Sequence, residues 1–81
     1  MKVESGNINA IIARNIKLAR HMRELTLKDI GDILGVTGQQ AQKYEACQNP
    51  ISIDKLMLLS KALGFPITFF FEEFKFKSRN S

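Results

Sequence analysis

Within residues 39–43 stand three glutamines and a lysine, in the run GVTGQQAQKYE. On a helix, Gln39, Gln42 and Lys43 share one face through spacings of three and four, while Ala41 and Tyr44 point the other way. A glutamine amide can offer a donor and an acceptor together to adenine N6 and N7, and a lysine can donate to guanine O6 and N7. Each well-made contact of this kind is worth about 1–3 kcal/mol of discrimination between bases. A solvated polar helix face is the other reading of the same stripe, and the stripe by itself leaves both open. Gly38, just before it, contributes no side chain at all.

Other chemistries find less support. The chain holds one histidine, His21, and one cysteine, Cys47, which excludes a Cys/His zinc cluster and an intrachain disulfide framework. His21 lies between Arg20 and Arg23 with no Cys or Ser motif to serve. Asp29, Asp32 and Glu45 suit helix caps and ion pairs rather than a catalytic pair. There is no glycine-rich phosphate loop. The expectation is therefore no catalytic residue, no metal, no cofactor and no small-molecule ligand.

A net charge of +4 and a pI near 9.5 favour nucleic acid or an anionic surface as partner. The apolar runs LMLL (56–59) and FPITFFF (65–71) are too short to span a bilayer. MKVESGN has no apolar signal core behind its lysine, so the expected location is cytoplasmic. With 81 residues, 44% of them hydrophobic, one small core is expected and no second domain.

The elements that must position the polar stripe can be placed by periodicity and caps. Ile8, Ile11, Ile12, Ile16, Ala19 and Met22 recur at three and four, which predicts a helix from an Asn7 cap to about Glu24. Thr26 and Asp29 form a capping-box pair before a second helix over 27–34, stopped by Gly35. Thr37 and Gln40 repeat the signature for a third helix from Gly38 to about Ala46. Two capped starts eleven residues apart, separated by a glycine, are the grammar of a helix-turn-helix. Ser52 caps a fourth helix that buries Leu56, Leu59 and Leu63 and stops at Gly64. After Phe65-Pro66 a short fifth helix is expected, with Ile67, Phe70 and Phe74 at helical spacing. The alternation EFKFK at 73–77 leaves a short strand as an option there.

The run LTLKDIGDILGVTGQQAQKYE resembles the helix-turn-helix of the Cro/phage-repressor (XRE-like) DNA-binding family. IKLAR (16–20) and LMLLSKALGFPITFFF (56–71) resemble the flanking helices, so the likeness covers roughly residues 8–72. It implies an all-α, five-helix bundle of the lambda-repressor-like type, with the helix-turn-helix at helices 2 and 3. It further implies a dimeric, sequence-specific transcriptional regulator of double-stranded DNA, its third helix in the major groove. Carried over by position, base reading falls to Gly38, Gln39, Gln42 and Lys43. Backbone contacts fall to Arg20, Thr26, Lys28, Thr37, Gln40 and Asn49. Arg20 and Glu45 match a family pair that is either a plain salt bridge or a phosphate-assisting one.

Four positions depart from the family pattern. Leu27 stands where many relatives have a glutamine that touches the DNA backbone. Gly38 replaces a contacting side chain, and Gly31 replaces a small residue, usually alanine, that packs helix 2 on helix 3. Cys47 replaces the glycine that ends helix 3, so that helix is expected to end without an easy left-handed residue. The 46–52 loop also lacks lysine and arginine. Each lost phosphate contact flattens the salt dependence by about one unit of log–log slope, so weaker DNA binding than in a typical relative is expected.

Six phenylalanines fall within residues 65–76. Phe65 with Phe69 or Phe70 can fill the core, and the surplus predicts an isologous dimer contact through Ile67, Phe70, Phe71, Phe74 and Phe76. Residues 1–76 are then one domain and 77–81 a disordered tail. The competing reading is a protein-interaction module on the same fold, such as an antitoxin subunit or small co-regulator with a protein partner and relaxed DNA reading.

Overall fold

The apolar spacing of the first segment folds as expected into α1, Ile8–Met22. The computed structural model describes residues 8–74. α1 buries Ile12, Ile16 and Ala19, and it ends two residues short of Glu24, which itself takes a left-handed φ of 58°. α2 (Leu27–Leu34), α3 (Gly38–Glu45) and α4 (Ile53–Leu63) follow. A 3-10 turn over Ile67–Phe71 closes the described chain. Among the described residues the architecture is thus all-α, with four helices and a 3-10 turn around one core.

α1, α2 and α4 surround that core, and α3 packs mainly on α2. Ile16, Ile30, Leu56, Leu59 and Phe70 are its largest sealed side chains. Each such side chain contributes about 1.5–3 kcal/mol on burial. Glycines stop α2 and α4: Gly35 has φ 74° and Gly64 φ 77°. Arg23 ties the end of α1 to the end of α4, since its Nε donates to the Leu63 carbonyl at 2.7 Å and its guanidinium lies 4.2 Å from the Phe65 ring centroid.

The chain's end corrects the expected fifth helix. Ile67 and Phe70 lie in a single 3-10 turn rather than an α-helix, and Phe74 lies beyond it. The reason is a buried amide. Asn15 Nδ2 donates to the carbonyls of Phe69 (3.3 Å), Phe70 (2.9 Å) and Glu72 (2.7 Å). Carbonyls that would otherwise seek a further helical turn are thereby satisfied. Phe70 is fully buried within its own subunit, so it is removed from the expected dimer surface. Ile67 is half-buried against the same core, and Phe74 is half-buried with its ring 5.1 Å from that of Phe69. Among the described members of the group, Phe71 alone is exposed. Residues 73 and 74 form no strand; Asn7, Phe76, the rest of the EFKFK alternation and the 77–81 tail lie outside the described residues. No helix among the described residues is long and apolar enough to cross a membrane.

Candidate nucleic-acid interface

Both ends of α2 are closed by its own sequence. Thr26 Oγ1 accepts from the Asp29 amide at 3.0 Å, and Asp29 Oδ2 accepts from the Thr26 amide at 2.8 Å, so the shorter aspartate completes a full capping box. The backbone amide of Thr26 first, and its side chain second, hold the Asp29 carboxyl below its ordinary pKa. At the other end the amides of Gly35 and Val36 both reach the Gly31 carbonyl. The turn passes so close that a Cβ on Gly31 would lie 2.5 Å from the Val36 oxygen. Here even alanine is too large, which is tighter than the small-residue packing expected from the sequence.

α3 is closed less completely. Thr37 Oγ1 accepts from the Gln40 amide at 3.0 Å, but the Gln40 side chain does not return the bond. Its Nε2 instead donates to Asn49 Oδ1 at 3.2 Å, which spans the loop after α3. At the C-terminus Ala46 is the cap and Cys47 takes the left-handed conformation at φ 60°, with the Gln48 amide on the Lys43 carbonyl at 2.9 Å. The helix therefore ends through a left-handed residue after all, and a cysteine carries the strain that glycine would avoid.

The Arg20–Glu45 pair is made, and made thoroughly. Arg20 Nε and Nη2 donate to the two Glu45 oxygens at 2.7 and 3.1 Å, and Nη1 donates to the Leu25 carbonyl at 3.0 Å. The two side chains are only 13% and 5% exposed. This fork ties α1 to the end of α3 and supplies the closure that the helix lacks in its own sequence. Beside it, Lys17, Leu27 and Gln42 line a shallow cleft.

Gln39, Gln42 and Lys43 are all exposed on α3, whereas Ala41 and Tyr44 are buried. The stripe thus faces outward as its spacing required. Gly38 stands at the head of α3 against the head of α2: a Cβ there would lie 3.5 Å from the Lys28 amide nitrogen, an ordinary contact. The two N-terminal turns are neighbours, so their unpaired N–H groups and dipoles sum on one side of the molecule. Lys28 is exposed and meets Asp32 at 3.3 Å, a solvated i,i+4 pair of little strength. Thr26, Thr37 and Asn49 are exposed and Gln40 is half-exposed, all within this same region of α2, α3 and the following loop. Two residues with structural weight escaped the sequence reading, Asn15 and Arg23. The signal for Asn15 was present, since it interrupts an otherwise apolar set at helical spacing on α1.

A pair of short helices crossing through a glycine turn, with the second presenting a polar outer face, defines a helix-turn-helix domain. The chain belongs to the helix-turn-helix family HTH_3, of the XRE/Cro-like kind, whose model matches residues 16–70. It is 35% identical over 72 residues to an uncharacterized HTH-type transcriptional regulator of Sinorhizobium medicae, covering 89% of this chain and 52% of that protein. It is 37% identical over 65 residues to one of Rickettsia conorii, covering 80% and 52%. An uncharacterized transcriptional regulator in the ATPase CF(0) region of Rhodospirillum rubrum is 33% identical over 67 residues, covering 83% and 62%. The chain spans about half the length of the first two of these relatives. No solved structure gives a match. The family is one of DNA-binding transcriptional regulators.

Proposed function

We propose that this chain is a sequence-specific regulator that binds double-stranded DNA as a dimer, with α3 in the major groove. The observation that carries the reading is the outward face of α3, where Gln39 and Lys43 stand exposed next to the adjoining N-terminal turns of α2 and α3. Helix N-termini attract phosphate, which would seat the domain, and the exposed amide and ammonium then reach base edges. Thr26, Lys28 and Thr37 border that seat. Asn49, whose carbonyl oxygen is engaged by Gln40, keeps its own NH2 for a phosphate oxygen. Arg20 holds Glu45 and α3 in place through three of its five N–H donors, and the rest of the fork stays available to a phosphate oxygen.

Selecting sites from a random DNA pool tests the reading, and the expected product is a two-fold symmetric site with half-sites about one DNA turn apart. Gln39→Ala should relax preference at one base pair per half-site, whereas Lys28→Ala should weaken all sequences alike. Equal effects of both changes on every sequence would remove Gln39 from the reading role.

Leu27 at the head of α2, Gly38, and the 46–52 loop without lysine or arginine favour a second reading, a protein-interaction module with weak DNA contact. Titration of random-sequence DNA at two salt concentrations separates the two. Binding that does not change with salt, or none at low salt, favours the interaction module.

A further inference from the structure

α1 carries a second apolar set beside the buried one. Ile11 and Leu18 are half-buried, and with Asn15 and Phe74 they form a groove between α1 and the segment 72–74. The two rims of this groove differ in sign. Arg14, Lys17 and His21 of α1 stand along one side, and Glu72 and Glu73 along the other. Among the described residues no ion pair joins the two rims.

An apolar strip between a basic and an acidic rim is complementary to itself after a half-turn. We propose that this groove is the face through which two copies of the chain associate, with the α1 rim of each copy against the 72–73 rim of the other. The inference rests on the dimeric reading above and moves its contact from the expected phenylalanine helix to α1. Phe70 and Ile67 belong to the core, while Phe74 serves as one wall of the groove. A two-fold contact makes each charge pairing twice, so the rims fix orientation while the apolar strip supplies the burial. Contact between rims of like charge is disfavoured, which selects a two-fold axis running along the groove, so that each basic rim faces an acidic one.

The test uses two charge-reversed versions of the 81-residue chain, R14E/K17E with two acidic rims and E72K/E73K with two basic rims. Sedimentation without DNA should show the unmodified chain dimerising and each variant alone dimerising roughly tenfold more weakly or worse. An equal mixture should restore a dimer containing one chain of each kind. All four positions are exposed, so the core is left intact; thermal melts check this, and the single reversals R14E and E73K repeat the test if a double variant melts early. Variants that dimerise as well as the unmodified chain overturn the proposal and leave the dimeric regulator standing with another contact. An unmodified chain that stays monomeric both free and on selected DNA overturns the groove and the dimeric reading together.

Discussion

The two helices of the helix-turn-helix are equal in length and unequal in self-sufficiency. α2 has a reciprocal capping box at its head and a left-handed glycine at its foot. α3 has a one-way cap at its head and a left-handed cysteine at its foot. α2 is also the more apolar helix, whereas α3 shows six of its eight residues to solvent wholly or in part. What α3 lacks locally comes from elsewhere: the Arg20–Glu45 fork, the buried Ala41 and Tyr44, and the Gln40–Asn49 bond. The contrast shows a division of labour. A helix whose outer face is given over to polar side chains can be held by its neighbours, provided the neighbouring helix holds itself.

The sharpest way to break this contrast is Arg20→Ala. It leaves Glu45 largely buried without its partner and should cost about 3 kcal/mol in denaturant unfolding. If α3 held itself, the loss would stay near that of a solvated pair. Next comes Gly31→Ala, which sets a methyl group against the Val36 oxygen; crowding of this kind should cost about 1–3 kcal/mol, read as a lower melting temperature. Cys47→Gly should run the other way. Relief of a left-handed non-glycine residue gains about 1–2 kcal/mol, and the greater freedom of glycine in the unfolded chain returns about 0.4–1 kcal/mol. A small net stabilisation is expected, which would bring the end of α3 closer to that of α2. The smallest effect is Asp29→Asn, read from melting temperature against pH. The folded-state pKa of Asp29 is lowered, so its stabilisation is present above the ordinary carboxylate range and is lost as pH falls through the folded-state value. The asparagine variant should therefore show a shallower loss on acidification, and a parallel curve would mean that the capping carboxylate does not matter.

Much of the fold was legible because its signals are local. Thr26 with Asp29, Ser52 with Gly64, and Gly35 each act within one helical turn, and the structure places the α2 and α4 boundaries where these residues predicted them. The outward stripe of Gln39, Gln42 and Lys43 was equally legible, because spacing alone fixes a helix face. What was not legible depends on residues far apart in the chain. Nothing near Phe70 says that Asn15 will take its carbonyl, so the expected fifth helix became a 3-10 turn. Likewise Thr37 with Gln40 reads as a capping box until Asn49 arrives as the competing partner. Cys47 differs for another reason: exposed as it is, its left-handed φ of 60° accompanies the closing bond from the Gln48 amide to the Lys43 carbonyl, a conformation that the residue type itself does not announce.

Asn15 has a further consequence, in the order of folding. Its bonds to residues 69, 70 and 72 close loops of 54, 55 and 57 positions. Contacts at such separations carry the largest loop-closure entropy, and intervening helices that are already docked shorten the effective path. The amide is thus expected to close as a latch after α2, α3 and α4 are assembled, which hydrogen exchange of residues 69–72 against the helix amides would check. Because the segment it anchors forms one wall of the α1 groove, that groove is then expected to be complete only on chains that have finished folding. A face built this way presents itself late, after the helix-turn-helix, and partly folded chains do not display it.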